Sequence, residues 1–165
     1  VVICECGTAF RVMKHLVGEQ PFKVSHIAEV MARYLKEGRM RVEKDRIKGL
    51  VTYHDPCQSA RNSGVIEEPR YVLNQLTSHF TEMTPNREYN LCCGGGGGLV
   101  ALENEAFREE TGKAKVNQIE VTGASIVATG CENCHTQLNF LKDRYKTGVK
   151  VEFLTNLVAN SLVLE

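Results

Sequence analysis

Short apolar runs rich in β-branched residues alternate along this chain with amphipathic stretches, a pattern typical of layered folds in which helices cover a sheet. It predicts strands over residues 1–3, 23–25, 49–54, 80–83, 124–129 and 149–153. It predicts helices over residues 9–17, 27–35, 67–76, 99–119, 134–145 and 155–164. Strands that alternate with helices of this kind pair in parallel through right-handed crossovers. The sequence therefore predicts an α/β fold of three layers, α/β/α, with a mostly parallel sheet.

Two element boundaries have a local explanation. Pro56 lacks an N–H and restricts the residue before it, so it ends the strand that closes with His54. Thr155 is the expected N-cap of the last helix.

Apolar residues that recur at helical spacing predict a buried face on the second helix: Ile27, Val30, Met31, Tyr34 and Leu35.

The composition is typical of a globular domain, with 42% hydrophobic and 24% charged residues among 165. Basic and acidic residues number 20 each, so the chain lacks the positive charge of a nucleic-acid binder. No apolar run approaches the ~18 residues that span a bilayer, so we expect no direct membrane insertion. The length fits one domain or two small ones. Because Val1 already lies in a predicted strand, we expect a fragment of a longer protein.

Cysteine is the unusual component, with seven residues in a chain that has no tryptophan. A chain of this length can fold without disulfide staples, and we expect an intracellular protein without them. The seven include an adjacent pair and a C-x-x-C motif: Cys4, Cys6, Cys57, Cys92, Cys93, Cys131 and Cys134. This placement indicates metal binding or redox chemistry.

Several of these cysteines follow predicted strands. Cys57 comes after the strand that ends at His54, and Cys131 and Cys134 come after the strand that ends at Thr129. The carboxyl ends of parallel strands share one edge of a sheet, which is where ligand sites form. Cysteines that are distant in sequence are therefore expected to converge at this edge.

A run of five glycines, residues 94–98, follows the adjacent cysteine pair. Glycine adopts backbone conformations closed to other residues and lets N–H groups approach a bound group. The glycines expected to line a cofactor are Gly94, Gly95 and Gly96. A helix that begins near Leu99 would add the partial positive charge of its N-terminus, which suits thiolates or an anionic cluster. A nucleotide loop fits poorly, because a Walker loop ends in Gly-Lys-Ser/Thr and apolar residues follow the glycines here.

Five converging thiols exceed the four ligands of tetrahedral zinc, and thiolates select soft metals. Adjacent cysteines can also bind different metals of one cluster. The residues alone favour an iron–sulfur cluster over zinc, and they leave redox thiols without a metal as a third alternative.

The order Cys57, then Cys92-Cys93-Gly94, then Cys131-x-x-Cys134 resembles the CCG cysteine-rich domain of heterodisulfide reductases and related iron–sulfur oxidoreductases. The surrounding residues 51–57, 89–93 and 128–138 are similar to the heterodisulfide-reductase-like subunits of membrane redox complexes in sulfate reducers. These include the sulfite-reductase-associated, high-molecular-weight cytochrome and tapetum cytochrome complexes. The resemblance implies that five cysteines ligate a noncubane 4Fe–4S cluster: Cys57, Cys92, Cys93, Cys131 and Cys134.

The function that the resemblance implies is electron transfer by an oxidoreductase subunit of an anaerobic respiratory complex. Its substrate would be a disulfide or a sulfur-bridged molecule. The implied partners are quinone- or cytochrome-linked membrane redox subunits and a small sulfur-carrier protein. The implied location is the cytoplasm, peripheral on the inner face of the membrane. The alternative is a zinc-stabilised structural module that docks partner subunits.

Two histidines beside the cysteines are candidate catalytic residues. His54 precedes Cys57 by three positions, so it either supplies a proton to a leaving thiolate or caps the strand end. His135 directly follows Cys134 and is the second candidate proton donor. Arg61 either offsets the charge of a cluster or lies on a solvated helix face.

A short internal repeat aligns residues 2–10 with residues 127–135, each comprising a strand, a cysteine turn and a helix. Cys6 falls opposite Cys131, whereas the second thiol of the C-x-x-C motif has no counterpart in the first copy.

The repeat suggests a division of the chain. We expect residues 1–20 to be the tail of a preceding, degenerate half-domain and residues 21–165 to be the cysteine-rich domain. Cys6 is then either a remaining ligand or substrate-facing thiol or, as we favour, a buried small hydrophobic residue.

Overall fold

A computed structural model describes residues 1–96 and 98–164. The strands are β1 (Val2–Cys4), β2 (Val24–His26), β3 (Val51–His54), β4 (Phe80–Thr81), β5 (Ile126–Thr129) and β6 (Lys150–Phe153). The α-helices are α1 (Gly7–Arg11), α2 (Ile27–Lys36), α3 (Glu67–Leu76), α4 (Glu105–Thr122), α5 (Glu132–Tyr145) and α6 (Leu154–Ala159). A π-helical turn, Val12–Leu16, continues α1, and two 3₁₀ turns occupy Arg87–Tyr89 and Leu99–Ala101.

A four-stranded parallel sheet with the order β4-β3-β5-β6 forms the centre of the fold. His54 at the end of β3 lies opposite Thr129 at the end of β5, so both strands deliver the chain to the same edge. β1 and β2 form a separate two-stranded parallel sheet. The predicted α/β fold with parallel strands is confirmed.

Helices cover both faces of the central sheet. The strand side chains that pack with α2, α3 and α6 are Val51, Tyr53, Ile126 and Ala128. Those that pack with α4 and α5 are Val127 and Val151. Because side chains alternate along a strand, His54 lies on the face opposite Tyr53, toward α4 and α5. The end of β3 therefore lies beneath α4 and α5.

The buried face predicted for α2 agrees with the structure at its centre. Val30 and Met31 are buried, whereas Ile27, Tyr34 and Leu35 are half-buried. The helix begins with a capping box in which the His26 N–H donates to Glu29 Oε2 at 2.7 Å. In the same capping box, the Ala28 N–H donates to His26 Nδ1 at 3.2 Å.

The helix predicted over residues 99–119 begins later than expected. Residues Leu99–Ala101 form only a 3₁₀ turn, and α4 starts at Glu105. Asn104 is the N-cap, because its Oδ1 accepts a hydrogen bond from the Phe107 N–H at 3.1 Å. The prediction of a helix N-terminus near Leu99 is therefore wrong. The positive charge expected beside the glycines from that helix end is wrong as well.

The last helix is also shorter than predicted, and Thr155 is not its N-cap. The N-cap position of α6 is Phe153, and the Thr155 hydroxyl donates instead to Glu5 Oε1 at 2.5 Å. After α6 the chain becomes extended, and the Val163 N–H donates to the Arg41 carbonyl at 3.0 Å. The N–H groups of Asn160 and Ser161 still donate to the last turn of α6, and pairing with the earlier segment begins only after them.

Candidate metal centre

Six of the seven cysteines form one continuous group at the carboxyl edge of the central sheet. The Sγ atoms of Cys93 and Cys134 lie 3.4 Å apart. Neighbouring cysteines along the rest of the group lie close enough to shift one another's pKa, and we call the whole group the thiol series. In spatial order its members are Cys57, Cys92, Cys93, Cys134, Cys131 and Cys6. Loops that are far apart in sequence therefore supply one array of sulfur atoms.

The thiol series is buried in the middle and open at its ends. Cys93, Cys134 and Cys131 are buried, whereas Cys57 and Cys6 are half-buried and Cys92 is exposed. A group bound by the series would be shielded by protein on one side and reachable from solvent near Cys92.

The N-terminus of α5 positions the C-x-x-C motif. Cys131 is the N-cap residue and Cys134 lies in the first helical turn, so both thiols are close to the positive end of the helix dipole. The hydrogen bonds from Cys134 and Cys6 lower the pKa of Cys131 to about 2, and the backbone N–H groups of Cys134 and Gly7 assist. Cys131 therefore favours the thiolate form, which binds metals.

Backbone N–H groups of the glycine loop donate to the adjacent cysteine pair. The Gly94 N–H donates to Cys92 Sγ and the Gly95 N–H donates to Cys93 Sγ, both at 3.4 Å. The thiol of Cys57 lowers the pKa of Cys92 most strongly, followed by the thiol of Cys93, and the Gly94 N–H adds to the effect. The loop thus supplies the positive partial charge that the sequence pattern assigned to a helix.

Close packing explains two of the three glycines predicted to line a cofactor. A Cβ at Gly95 would lie 2.7 Å from the Cβ of Gln137 on α5. Gly94 has a φ of +83°, and a Cβ there would lie 3.0 Å from the backbone N of Gly112 on α4. A Cβ at Gly96 would meet nothing within 4 Å. Gly97, within the predicted run, lies outside the described residues.

His54 lies directly beside the thiol series. One of its ring nitrogens and the Sγ atoms of Cys93 and Cys134 all lie within 4.8 Å of one another. The side chain is fully buried, and neither ring nitrogen has a hydrogen-bond partner among the described residues. Burial, aided by the charge of Lys115, lowers its pKa to about 3. His54 does not cap the strand; it is a neutral imidazole beside two buried thiols.

His135 has a different setting. Its ring stacks on Phe153 with centroids 4.0 Å apart. Asn139 also contacts the ring and donates to the His135 carbonyl at 3.0 Å. These contacts fix the orientation of a half-buried imidazole at the start of α5.

Asp55 links the turn of Cys57 to the loop that carries Cys92 and Cys93. Both its carboxylate oxygens accept hydrogen bonds from the Arg70 guanidinium at 2.8 Å. Oδ2 also accepts from the Arg87 N–H at 2.7 Å, and the Asp55 carbonyl accepts from Asn90 Nδ2 at 2.6 Å. Asp55 therefore joins the two loops through its bonds to Arg87 and Asn90, and Arg70 neutralises its buried charge.

Arg61 supports the same loop from the other side. Its Nε donates to the Glu88 carbonyl at 2.6 Å and its terminal nitrogen donates to the Asn90 carbonyl at 2.5 Å. Arg61 therefore anchors the backbone two residues before Cys92 and does not lie free on a solvated helix face.

Sequence reasoning missed Lys115, which is fully buried on α4. Burial lowers its pKa to about 8, and the negative charge of Cys93 partly offsets that effect. The spacing of the residues around it could have indicated that it is buried. Lys115 lies on the same face of α4 as Gly112 and Ile119, and all three are buried.

The favoured prediction for Cys6 is wrong. Cys6 is only half-buried, and its thiol contacts Cys131. Like Cys131, it occupies the N-cap position of a helix that follows a parallel strand, as the repeat suggested. Cys4, in contrast, is buried in the core beside α2 and contacts none of the thiol series among the described residues.

The fold and the site together define a class: a parallel α/β domain with a polythiolate centre at the carboxyl edge of its sheet. The profile of the CCG cysteine-rich domain matches residues 51–139, more than half of the chain. The chain therefore belongs to the CCG cysteine-rich domain family, and the resemblance inferred from its motifs is confirmed.

Several characterised proteins are similar to this chain. It is 37% identical to one subunit of the dihydromethanophenazine:CoB–CoM heterodisulfide reductase of Methanosarcina mazei, over 99% of this chain and 41% of the relative. It is 32% identical to the Hdr-like menaquinol oxidoreductase iron-sulfur subunit 2 of Archaeoglobus fulgidus, over 84% of this chain and 26% of the relative. It is 30% identical to the EtfAB:quinone oxidoreductase of Syntrophomonas wolfei, over 84% of this chain and 20% of the relative. The chain spans less than half the length of each.

Proposed function

We propose that this chain is an iron–sulfur electron-transfer unit that reduces a disulfide or sulfur-bridged substrate within a larger oxidoreductase. The observation that carries the proposal is the thiol series, in which the sulfur atoms of Cys93 and Cys134 lie 3.4 Å apart and cysteines from distant loops shift one another's pKa. The relatives named as heterodisulfide reductase and iron-sulfur oxidoreductase subunits support it.

The residues present fit an iron–sulfur cluster. The donor set is sulfur-rich, its central members are buried, and backbone N–H groups donate to Cys92 and Cys93. Hydrogen bonds to cysteine sulfur are a known means of tuning such clusters. The cysteines proposed to hold a noncubane 4Fe–4S cluster are Cys57, Cys92, Cys93, Cys131 and Cys134. When bound, the cluster would supply single electrons and an iron site for a substrate sulfur.

The protein would control access, charge and protons. The exposed side at Cys92 is the proposed approach for the substrate, while α4 and α5 exclude water from Cys93 and Cys134. His54 is neutral, so its single ring N–H can donate a hydrogen bond to a thiolate, and it acts as a proton donor only after it has itself taken up a proton. His135, held against Phe153, remains the second proposed proton donor.

The wider assignments rest on the relatives and on the resemblance. The proposed partners are quinone- or cytochrome-linked membrane redox subunits and a small sulfur-carrier protein, on the cytoplasmic face of the membrane. Among the residues that the structure describes, no helix is long and apolar enough to cross a bilayer. The division into residues 1–20, from a preceding half-domain, and residues 21–165 also remains a proposal.

A zinc-stabilised docking module is the second candidate, and one observation favours it. His54, Cys93 and Cys134 place three ligand atoms within 4.8 Å of one another, as a single metal ion requires. In this alternative one more thiol would complete a tetrahedral site, and the remaining cysteines would be left without a metal.

Anaerobic reconstitution distinguishes the two candidates. The chain is incubated with ferrous iron and sulfide in one sample and with zinc in another, and bound metal and acid-labile sulfide are then counted. The proposal predicts about four iron and four sulfide per chain, with a paramagnetic signal in the oxidised state. One zinc per chain without sulfide would contradict it and support the docking module.

A further inference from the structure

Lys115 is a buried ammonium group whose hydrogen-bond partners are all neutral. Nζ donates to Asn90 Oδ1 at 3.0 Å and to Gln118 Oε1, and it lies 3.6 Å from the Met83 sulfur. The side chain has no solvent exposure. A buried charge with only neutral partners is costly unless negative charge lies nearby.

The two amides are fixed so that their oxygen atoms face the ammonium. Asn90 Nδ2 donates to the Asp55 carbonyl at 2.6 Å, and Gln118 Nε2 donates to the Pro85 carbonyl at 2.5 Å. These bonds set the orientation of both amide groups. The pocket is therefore built to receive a cation.

The thiol series lies beside this pocket: the Met83 sulfur, 3.6 Å from Nζ, packs in the same buried cluster as Cys93 and Cys134. Among the described residues no carboxylate forms an ion pair with Lys115, and the nearby Asp55 is paired with Arg70. Negative charge at Cys93 would raise the pKa of Lys115 most strongly, followed by negative charge at Asp55, Cys134 and Cys92. Three of these four groups are members of the thiol series.

We propose that Lys115 is the buried counter-charge of the thiol series and that it favours reduction of the group bound there. The second part rests on the proposed iron–sulfur function. Each added electron increases the negative charge of the site, and a fixed cation in a low-dielectric interior stabilises that charge. Lys115 acts through this charge and touches no substrate.

The first test measures the reduction potential. Lys115→Gln removes the charge and retains a donor, Lys115→Arg retains the charge, and Lys113→Gln removes an exposed charge from the same helix. Each reconstituted protein is titrated with dithionite and followed by electron paramagnetic resonance. Lys115→Gln is expected to lower the equilibrium constant for reduction at least tenfold, which is about 59 mV for one electron. Lys115→Arg is expected to stay closer to the wild-type potential and Lys113→Gln to match it.

The inference is overturned if Lys115→Gln binds the same amount of iron and sulfide as the wild type and is reduced at the same potential. This outcome would leave the iron–sulfur proposal intact, because the cluster would still be present.

The second test is made on the metal-free proteins, so that the role of Lys115 can be tested even if the wild type takes up no iron. The alkylation rate of Cys92 by iodoacetamide is measured as a function of pH, since only the thiolate reacts. Loss of the counter-charge is expected to shift the rate profile to higher pH in Lys115→Gln and not in Lys113→Gln. If no cluster forms, coincident profiles in all three proteins would overturn the inference, and a shifted profile would support it even though the proposed function had failed.

Discussion

Replacing Cys93 with serine is expected to reduce the iron and sulfide incorporated on reconstitution at least tenfold. Cys93 lies in the middle of the thiol series, 3.4 Å from the sulfur of Cys134 and in contact with Cys92. Serine offers a harder and far less acidic oxygen in place of a thiolate, and soft metals discriminate against it. Because Cys93 is buried, no neighbouring side chain from solvent can take its place.

Cys4→Ser is the matched control for this change. Cys4 is also buried, but it belongs to the core beside α2. The control tests whether a serine in the interior affects uptake merely by weakening the fold. We expect Cys4→Ser to bind iron and sulfide as the wild type does. Equal uptake by Cys93→Ser would contradict the assignment of Cys93 as a ligand.

The second large effect is expected on stability. Arg70→Met is predicted to lower the free energy of unfolding of the metal-free chain by about 3–5 kcal/mol, because it leaves a buried carboxylate without its partner. Arg70 donates to both oxygens of Asp55 at 2.8 Å, and the two side chains are 4% and 1% exposed. Urea denaturation followed by circular dichroism measures the change.

Arg87→Met provides the comparison for Arg70. Arg87 also pairs with acidic residues, but its side chain is 37% exposed, so its loss is expected to cost no more than about 1 kcal/mol. Arg70→Lys keeps the charge but cannot donate to both oxygens of Asp55 as a guanidinium does. Its free energy of unfolding should therefore lie between those of Arg70→Met and Arg87→Met. If Arg70→Met and Arg87→Met unfolded at the same urea concentration, the buried Asp55–Arg70 pair would contribute no more to stability than the exposed pairs of Arg87.

The sequence predicted the order of strands and helices because each element has a clear period or a β-branched run. It failed where the partner of a single polar side chain decided the outcome. Asn104 caps α4 and excludes the apolar residues 99–102 from it, although their pattern continues that of the helix. Thr155 has the chemistry of an N-cap but bonds with Glu5, which is 150 residues away in sequence.

The cysteine motifs were visible in the sequence, but the residues that support them were not. Lys115 resembles an exposed helix residue until Asn90 and Gln118 are brought around it by the fold. Cys6 could be aligned with Cys131, yet its contact with that thiol depends on how the two helix N-termini pack. Periodicity reports the burial of apolar residues, and it does not identify buried polar residues such as Lys115.

The most direct test of the account is to locate the iron atoms. Crystals of the reconstituted chain, grown without oxygen, are measured on both sides of the iron absorption edge. The account predicts anomalous peaks for several iron atoms within bonding distance of five sulfur atoms: those of Cys57, Cys92, Cys93, Cys131 and Cys134. A single metal peak bound by four ligands, or iron bound away from these cysteines, would contradict it.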